Sequence, residues 1–217
     1  MSQDLIESIN KLRRDFSGQP FEEENALKNP MEQFDVWFKE AVDSKLLDPS
    51  AVSVTTVSSK GKPSTRIVYL RGESDDGFIF YTNYNSEKGK DIEQNNQVAL
   101  NFFWGELNRQ VRVEGVVEKI TDEASDAYFN KRPRESQIGA WASNQSELLL
   151  NREALEAKVV YFTDKFKGSE VPRPSHWGGY IVKPNQLEFW QGRPSRLHDR
   201  IVYVNSNGDW KQSRISP

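Results

Sequence analysis

No cysteine occurs in the 217 residues, which excludes disulfides, thiolate metal sites and a cysteine nucleophile and suits a reducing compartment. Histidine is scarce. His176 and His198 stand alone, neither near a second histidine or a carboxylate cluster at ligand spacing, so no metal is expected. No apolar run approaches the roughly 20 residues of a membrane helix, and the opening MSQDLIESINKLRRDF mixes acids with apolar side chains from the start. With neither a signal peptide nor a span visible, the chain reads as cytoplasmic. An excess of one charge is also lacking. The 29 Lys and Arg against 32 Asp and Glu leave a net −3, so no nucleic-acid partner is expected and any anion site must be local. Nucleotide-binding and hydrolytic signatures are absent too: no GxGxxG after a strand, no GxxxxGK[ST], no HExxH, no GxSxG.

What is present is aromatic. Six Trp and twelve Phe are a heavy load for a chain of mean hydropathy −0.75, and aromatics beyond those a core needs line pockets or subunit interfaces. Leu5, Ile9, Leu12 and Phe16 lie at helical spacing, residues 17–29 read as a linker, and Asn29-Pro30 opens a firm helix with Phe34, Trp37, Phe38, Ala41 and Val42 on one face. From residue 51 the period changes to two. AVSVTTVSS, STRIVYLRG, FIFYTNY, QVALNFFW and RQVRVEGVVEKI read as strands joined by turns too short for crossover helices, which argues an antiparallel barrel or closed sheet. Residues 84–96 read as a loop entering a short helix, and Thr121 caps another that stops by Pro133. The piece RPRESQIGAWASNQS (132–146) looks too irregular for an element. Leu155, Val159, Phe162 and Phe166 mark a further amphipathic helix, and HWGGYIV, QLEFWQG and DRIVYV three closing strands before a hairpin through Asn207-Gly208. The expected division is an arm and linker (1–30), a barrel core with helices (31–170) and C-terminal strands (171–217).

The residues favour anion capture. The stretch 190-WQGRPSRLHDR-200 sets three guanidiniums beside an indole and an imidazole, a combination that suits a planar anionic ligand. Arg66 and Arg71 flank RIVYLR and fall on opposite faces under strict alternation. Tyr128, Arg132 and Ser136 are spaced by four, although Pro133 puts the last beyond a helix end. Ser195, His198 and Asp199 crowd one loop, where the members of a hydrolytic triad rarely line up.

The segments RIVYLR, FYTNYNSEKGK, LNRQVRVEG, YFNKRPRESQIGAW, NQS, SHWGGY and EFWQGRPSRLHDRIVY resemble the pyridoxamine 5′-phosphate oxidase family, from about Leu12 to Pro217. The resemblance implies a mainly β, α+β split barrel of the FMN-binding type and a homodimer with flavin at its interface. It implies oxidation of pyridoxamine or pyridoxine 5′-phosphate by O2 to pyridoxal 5′-phosphate, with release of H2O2 and, from the amine, ammonia. Carried over by motif, FMN contacts Arg66, Ile67, Val68, Tyr69, Leu70, Arg71, Tyr81, Thr82, Lys88, Gln110, Gln145, Ser146, Trp190 and Arg200. The substrate phosphate falls to Arg71, Tyr128, Arg132 and Ser136, while Arg196 and His198, with Leu197 between them, lie over the substrate ring as the catalytic pair. Arg13, Arg14, Asp15 and Phe16 form an arm over the site. Three positions depart from the family pattern: Arg71 stands for Lys, Glu87 for the Arg before Lys88, and Phe16 for Tyr. Glu87 is expected to point to solvent or pair with Lys90. The rival reading is a non-catalytic split barrel that carries flavin or pyridoxal phosphate.

Overall fold

The computed structural model describes residues 2–12, 15–74 and 76–217. In chain order its elements are α1 (Gln3–Lys11), α2 (Pro30–Asp43), β1 (Ala51–Val57), β2 (Pro63–Tyr69), β3 (Gly72–Ser74), β4 (Gly77–Asn83), α3 (Glu87–Gln94), β5 (Gln97–Trp104) and β6 (Arg109–Lys119). Then follow α4 (Asp122–Asn130), α5 (Arg134–Ala142), α6 (Arg152–Lys165), β7 (Trp177–Gln191), β8 (Asp199–Ser206) and β9 (Asp209–Arg214). Contacts divide the chain into two compact units. The first comprises residues 1–49, 102–112 and 186–217; the second comprises 50–101 and 113–185.

The strands follow the order β2-β1-β5-β6-β7-β4-β3, with antiparallel pairing of β1 to β2 and β5 and of β4 to β3 and β7. The β1–β2 hairpin closes through Ser58–Lys62, where Gly61 adopts the positive φ of 74° that a side chain resists. Along β1 the alternation puts Val52, Val54 and Thr56 inward. A hydroxyl at such a position needs a partner, and its partners organise part of the site described below.

In the first unit, β8 pairs with β9 and with residues 186–191 of β7. Here α2 starts as expected, with the Asn29 side chain accepting from Met31 N at 2.9 Å and Pro30 in the first turn. Its buried face centres on Phe34 and Trp37. Phe34 lies 4.9 Å from Phe102, and Trp37 lies 4.9 Å from Phe21 and 5.2 Å from Phe189, an aromatic core in which Phe34, Phe102 and Phe189 are fully buried. Val42, expected on this face, is exposed.

Two local expectations fail for identifiable reasons, and a third holds only in part. Residues 134–142 are helix, because the Pro133 carbonyl accepts the first amides, Ser136 N and Gln137 N, and Ile138, Ala140 and Ala142 supply buried apolar positions that the polar residues masked. The two runs HWGGYIV and QLEFWQG are one strand, β7. Pro184 does not break it, since Gly115 leaves its backbone room; a Cβ there would meet Pro184 Cα at 2.9 Å. The expected helix through Leu155, Val159 and Phe162 is present as α6, but it buries none of its residues. Its Phe162 rests half-buried against Trp141 at 5.6 Å, and only Phe166, just past the helix, reaches the interior.

Candidate active site

A cavity of about 700 Å³ opens within the second unit. Along one wall lie Ile67, Val68 and Tyr69 at the end of β2, followed by Arg71. Because β2 ends at Tyr69, alternation does not govern Arg71, and its guanidinium stacks 4.8 Å from the Tyr69 ring centroid. Leu70 is buried with its N–H on Ser50 O and Ser146 sits exposed at a φ of 71°; neither lines the cavity. Tyr81 and Thr82 of β4, Lys88 of α3 and Gln145 do.

Tyr128, Arg132 and Ser136 meet in this cavity although they belong to three local structures, the last turn of α4, the linking turn and the first turn of α5. The Arg132 guanidinium lies 4.4 Å over the Trp177 ring, and its Nη1 is buried without a hydrogen-bond partner. Burial lowers its pKa, opposed by Tyr128, yet a guanidinium remains charged at neutral pH. A buried, unpartnered cation edge in a cavity is a site for an anion.

A second cationic group is built around Lys88. Its Nζ donates to Gln145 Oε1 at 2.8 Å, Thr82 Oγ1 at 3.0 Å and Ser86 Oγ at 3.3 Å, all neutral oxygens. Burial first, and the charge of Arg66 second, pull its pKa down to about 8 against the pull of Glu87. Glu87 itself is exposed. Arg66 does not line the cavity but is held firmly beside it, with Nη1 on Thr56 Oγ1 at 2.8 Å and Ser64 O at 3.0 Å, and Nη2 on Ser64 Oγ at 2.8 Å. Thr56 in turn donates to Asp91 Oδ2 at 2.6 Å. Burial lowers the Arg66 pKa while Asp91 and Glu87 oppose it. The donor set suits an anion such as a phosphate, since a lysine buried among neutral acceptors is short of negative charge.

The other candidates belong to the first unit. There Phe16 sets its ring edge-on to Trp190 at 5.4 Å and to His198 at 5.2 Å, and Asp15 Oδ1 accepts from Ser195 N at 3.1 Å. Ser195 and Arg196 both have positive φ, 57° and 61°, a strained pair of consecutive non-glycine residues. His198 Nδ1 faces the N–H of Arg193 at 3.1 Å, so the neutral ring carries its proton on Nε2. Burial, then the Arg196 and Arg200 charges, lower its pKa against Asp15 and Asp199. Arg196 and Leu197 are exposed and Gln110 is half-buried. Arg200 is engaged by Glu188 at 2.7 Å and Ser216 O at 2.9 Å. Asp199 braces the loop: burial would raise its pKa, but bonds from Phe21 N, Arg214 and Arg193 bring it below the usual carboxylate value. Arg13 and Arg14 lie outside the described residues.

Sequence reasoning missed Trp177, Asn83, Pro133, Gly139, Ala140 and Ser143 in the cavity wall, and Thr56 and Asp91 behind it. For Thr56 a signal existed, a polar residue at an inward position of an alternating strand.

Comparison with known proteins bears on the family and the fold. The profile described as pyridoxamine 5′-phosphate oxidase matches residues 38–166, and the pyridoxine 5′-phosphate oxidase C-terminal dimerisation region matches 177–217. The pyridoxine/pyridoxamine 5′-phosphate oxidase of Cytophaga hutchinsonii is 51% identical over 209 residues, covering 95% of this chain and 97% of the relative. That of Leptospira biflexa is 51% identical over 206 residues, covering 95% and 97%. Among solved structures, PhzG from Burkholderia lata 383, in complex with tetrahydrophenazine-1-carboxylic acid, matches with a TM-score of 0.88 at 26% identity, covering 94% of this chain and 100% of that one. A pyridoxamine 5′-phosphate oxidase-related, FMN binding protein from Nostoc punctiforme shares the fold, with a TM-score of 0.69 at 17% identity over 87% of this chain and 97% of that one. The antiparallel architecture with flanking helices is the split barrel expected from the sequence. On family profile and relatives alike, the chain belongs to the pyridoxamine 5′-phosphate oxidase family.

Proposed function

We propose that the protein oxidises pyridoxamine 5′-phosphate or pyridoxine 5′-phosphate with O2 to pyridoxal 5′-phosphate, using FMN. For the amine the balance is substrate ammonium, O2 and water giving aldehyde, ammonium and H2O2. The observation that carries this reading is one cavity walled by two cationic groups, Lys88 with Thr82 and Gln145, and Arg132 with Tyr128 and Ser136, a pattern suited to two phosphorylated ligands. Bound flavin supplies a hydride acceptor that can return electrons to O2.

The chain supplies binding and orientation. Lys88, with Arg66 held behind it, meets the flavin phosphate; Ile67, Val68, Tyr69, Leu70, Arg71, Tyr81, Thr82, Gln145 and Ser146 form the rest of that proposed set, to which the family resemblance adds Gln110, Trp190 and Arg200. Arg132, Tyr128, Ser136 and Arg71 take the substrate phosphate, which anchors the ring so that its C4′ carbon is presented in a fixed geometry. Arg196 and His198 orient the pyridine, and a neutral His198 with its proton on Nε2 donates a hydrogen bond rather than a charge. Asp15 and Phe16 hold the loop that carries them. A homodimer is part of the proposal, supported by the match of residues 177–217 to a dimerisation region, and so is a cytoplasmic location.

The test is direct. Purified protein is expected to be yellow, to lose its flavin absorbance with pyridoxamine 5′-phosphate under anaerobic conditions, and to form aldehyde and peroxide in air. A yellow protein that substrate fails to reduce would favour the non-catalytic carrier, and one that cannot be loaded with FMN would defeat both readings. Sedimentation at a monomer's mass would remove the dimer.

A further inference from the structure

The residue at the start of β7, Trp177, is absent from every motif-based assignment above, yet its ring packs beside two of the four groups proposed to hold the substrate phosphate, Arg132 and Tyr128. The residue is 7% exposed. The Arg132 guanidinium carbon lies 4.4 Å from its centroid, closer than the 5.5 Å to the Phe129 ring. Its plane runs within 11° of Tyr81 at 5.5 Å, and Tyr81 stacks on Tyr128 at 3.8 Å and 8°. Three near-parallel aromatic planes and a guanidinium thus form one assembly around the phosphate-binding wall.

The local sequence explains how a single indole acquires this position. Trp177 N–H donates to Pro174 O at 3.0 Å, and its carbonyl accepts from Arg173 Nη1 at 2.7 Å. The other nitrogens of Arg173 pair with Asp122 at 2.8 Å and Asp126 at 2.5 Å on α4, the helix that carries Tyr128. The backbone under the indole is therefore tied to the backbone under the phenol. Gly178 and Gly179 then keep the strand surface flat. A Cβ on Gly178 would strike the Tyr84 hydroxyl, and one on Gly179 would strike Ile120 and come within 2.9 Å of Tyr81 Cε1.

Arg132 depends on that platform more than most arginines do. Its Nη1 is buried with no hydrogen-bond partner, so in the free protein the aromatic face does the work that a carboxylate would otherwise do. A carboxylate in that place would compete with an incoming phosphate, whereas a ring face orients the guanidinium and leaves its donors available.

We propose that Trp177 positions Arg132 and Tyr128 and thereby sets the preference for phosphorylated over unphosphorylated substrates. The inference rests on the proposed oxidase reading and adds a residue to it. It predicts an effect that follows the phosphate rather than the chemistry.

The experiment compares W177L, which removes the platform, and W177F, which keeps a smaller ring, with the parent protein. Thermal melting and bound FMN per chain report integrity. With pyridoxine 5′-phosphate, W177L is expected to raise KM about tenfold or more while kcat changes far less, and W177F to fall between it and the parent. The ratio of kcat/KM for pyridoxine 5′-phosphate to that for pyridoxine should drop by the same factor. A fall in kcat with KM unchanged, or an equal loss with both substrates, overturns the proposal. If W177L does not fold, W177F alone must still show a KM increase confined to the phosphorylated substrate, and an unchanged KM overturns it. If the parent protein binds FMN but does not turn over, the oxidase reading fails separately. The inference is then judged by pyridoxal 5′-phosphate binding, where an unaltered Kd in W177F and W177L sinks it.

Discussion

The Thr56 hydroxyl donates a 2.6 Å hydrogen bond to the Asp91 carboxylate, between an inward position of β1 and the buried face of α3. With its proton committed there, the oxygen presents lone pairs to Arg66 Nη1 at 2.8 Å. Replacing Thr56 by Val should free Arg66 from this brace and weaken FMN binding roughly 10- to 100-fold, the loss of one hydrogen bond to a charged group. Ser at the same position should restore it. Flavin fluorescence titrations check this, and riboflavin, which has no phosphate, should bind parent and T56V alike; an equal loss for both ligands would place the effect elsewhere.

If FMN binds as proposed, Lys88 makes its affinity depend on pH. In the free protein its pKa is pulled down to about 8, and a phosphate beside it favours the ammonium and raises that value. FMN binding therefore takes up a proton in alkaline solution, and affinity should fall as pH rises above about 8, by up to about tenfold per unit. Calorimetry in two buffers of different ionisation enthalpy measures the uptake. Lys88→Met should abolish both the uptake and the slope.

Arg132→Met keeps much of the side-chain volume over Trp177 and removes the charge. The expected result is a KM for the phosphorylated substrate higher by about 10- to 100-fold, since charge-assisted hydrogen bonds contribute about 1.5–3 kcal/mol, with a smaller change in kcat. Steady-state kinetics settle it, and an unchanged KM would take Arg132 out of the phosphate site.

For His198 the prediction concerns sign. Its folded pKa lies below the ordinary value, first through burial and then through Arg196. Its share of stability is present above the unfolded pKa of about 6.5 and is lost as pH falls toward the folded one. Removing a positive neighbour should raise the pKa, so Arg196→Met should shift the His198 titration upward. With only two histidines in the chain, proton NMR resolves it, and a downward shift would contradict the assigned geometry.

Much of this was legible in the residues, for physical reasons that can be named. The Asn29-Pro30 start of α2 and the Gly61 turn follow from local backbone chemistry, and the alternation of β1 follows from one buried face. Where the reading failed, tertiary context had overruled a local signal. Pro184 looks like a strand end until Gly115 is seen beside it, and the apolar residues of α6 look like a core face although that helix buries none of them. The site divides likewise. Tyr128, Arg132 and Ser136 could be singled out as functional hardware from their type and spacing, because polar groups of that kind have few structural uses together. Trp177 could not, since an indole in a strand reads as core filling, and although it does join a buried core cluster, the guanidinium over its ring is visible only in the structure. Asp91 likewise reads as a solvated helix residue until Thr56 is found opposite.

The break at Pro133 also constrains how the chain can change. Tyr128 and Ser136 belong to separate helices, and Arg132 sits in the short turn that joins them. Residues added or lost in surface loops usually pass unnoticed, but here the register between the two helices is counted from both sides of one proline. Deleting a single residue between Asn130 and Arg134 would rotate Ser136 by about 100° about its helix axis relative to Tyr128. This turn should therefore tolerate substitutions at Lys131, whose side chain is exposed, while refusing any change in length.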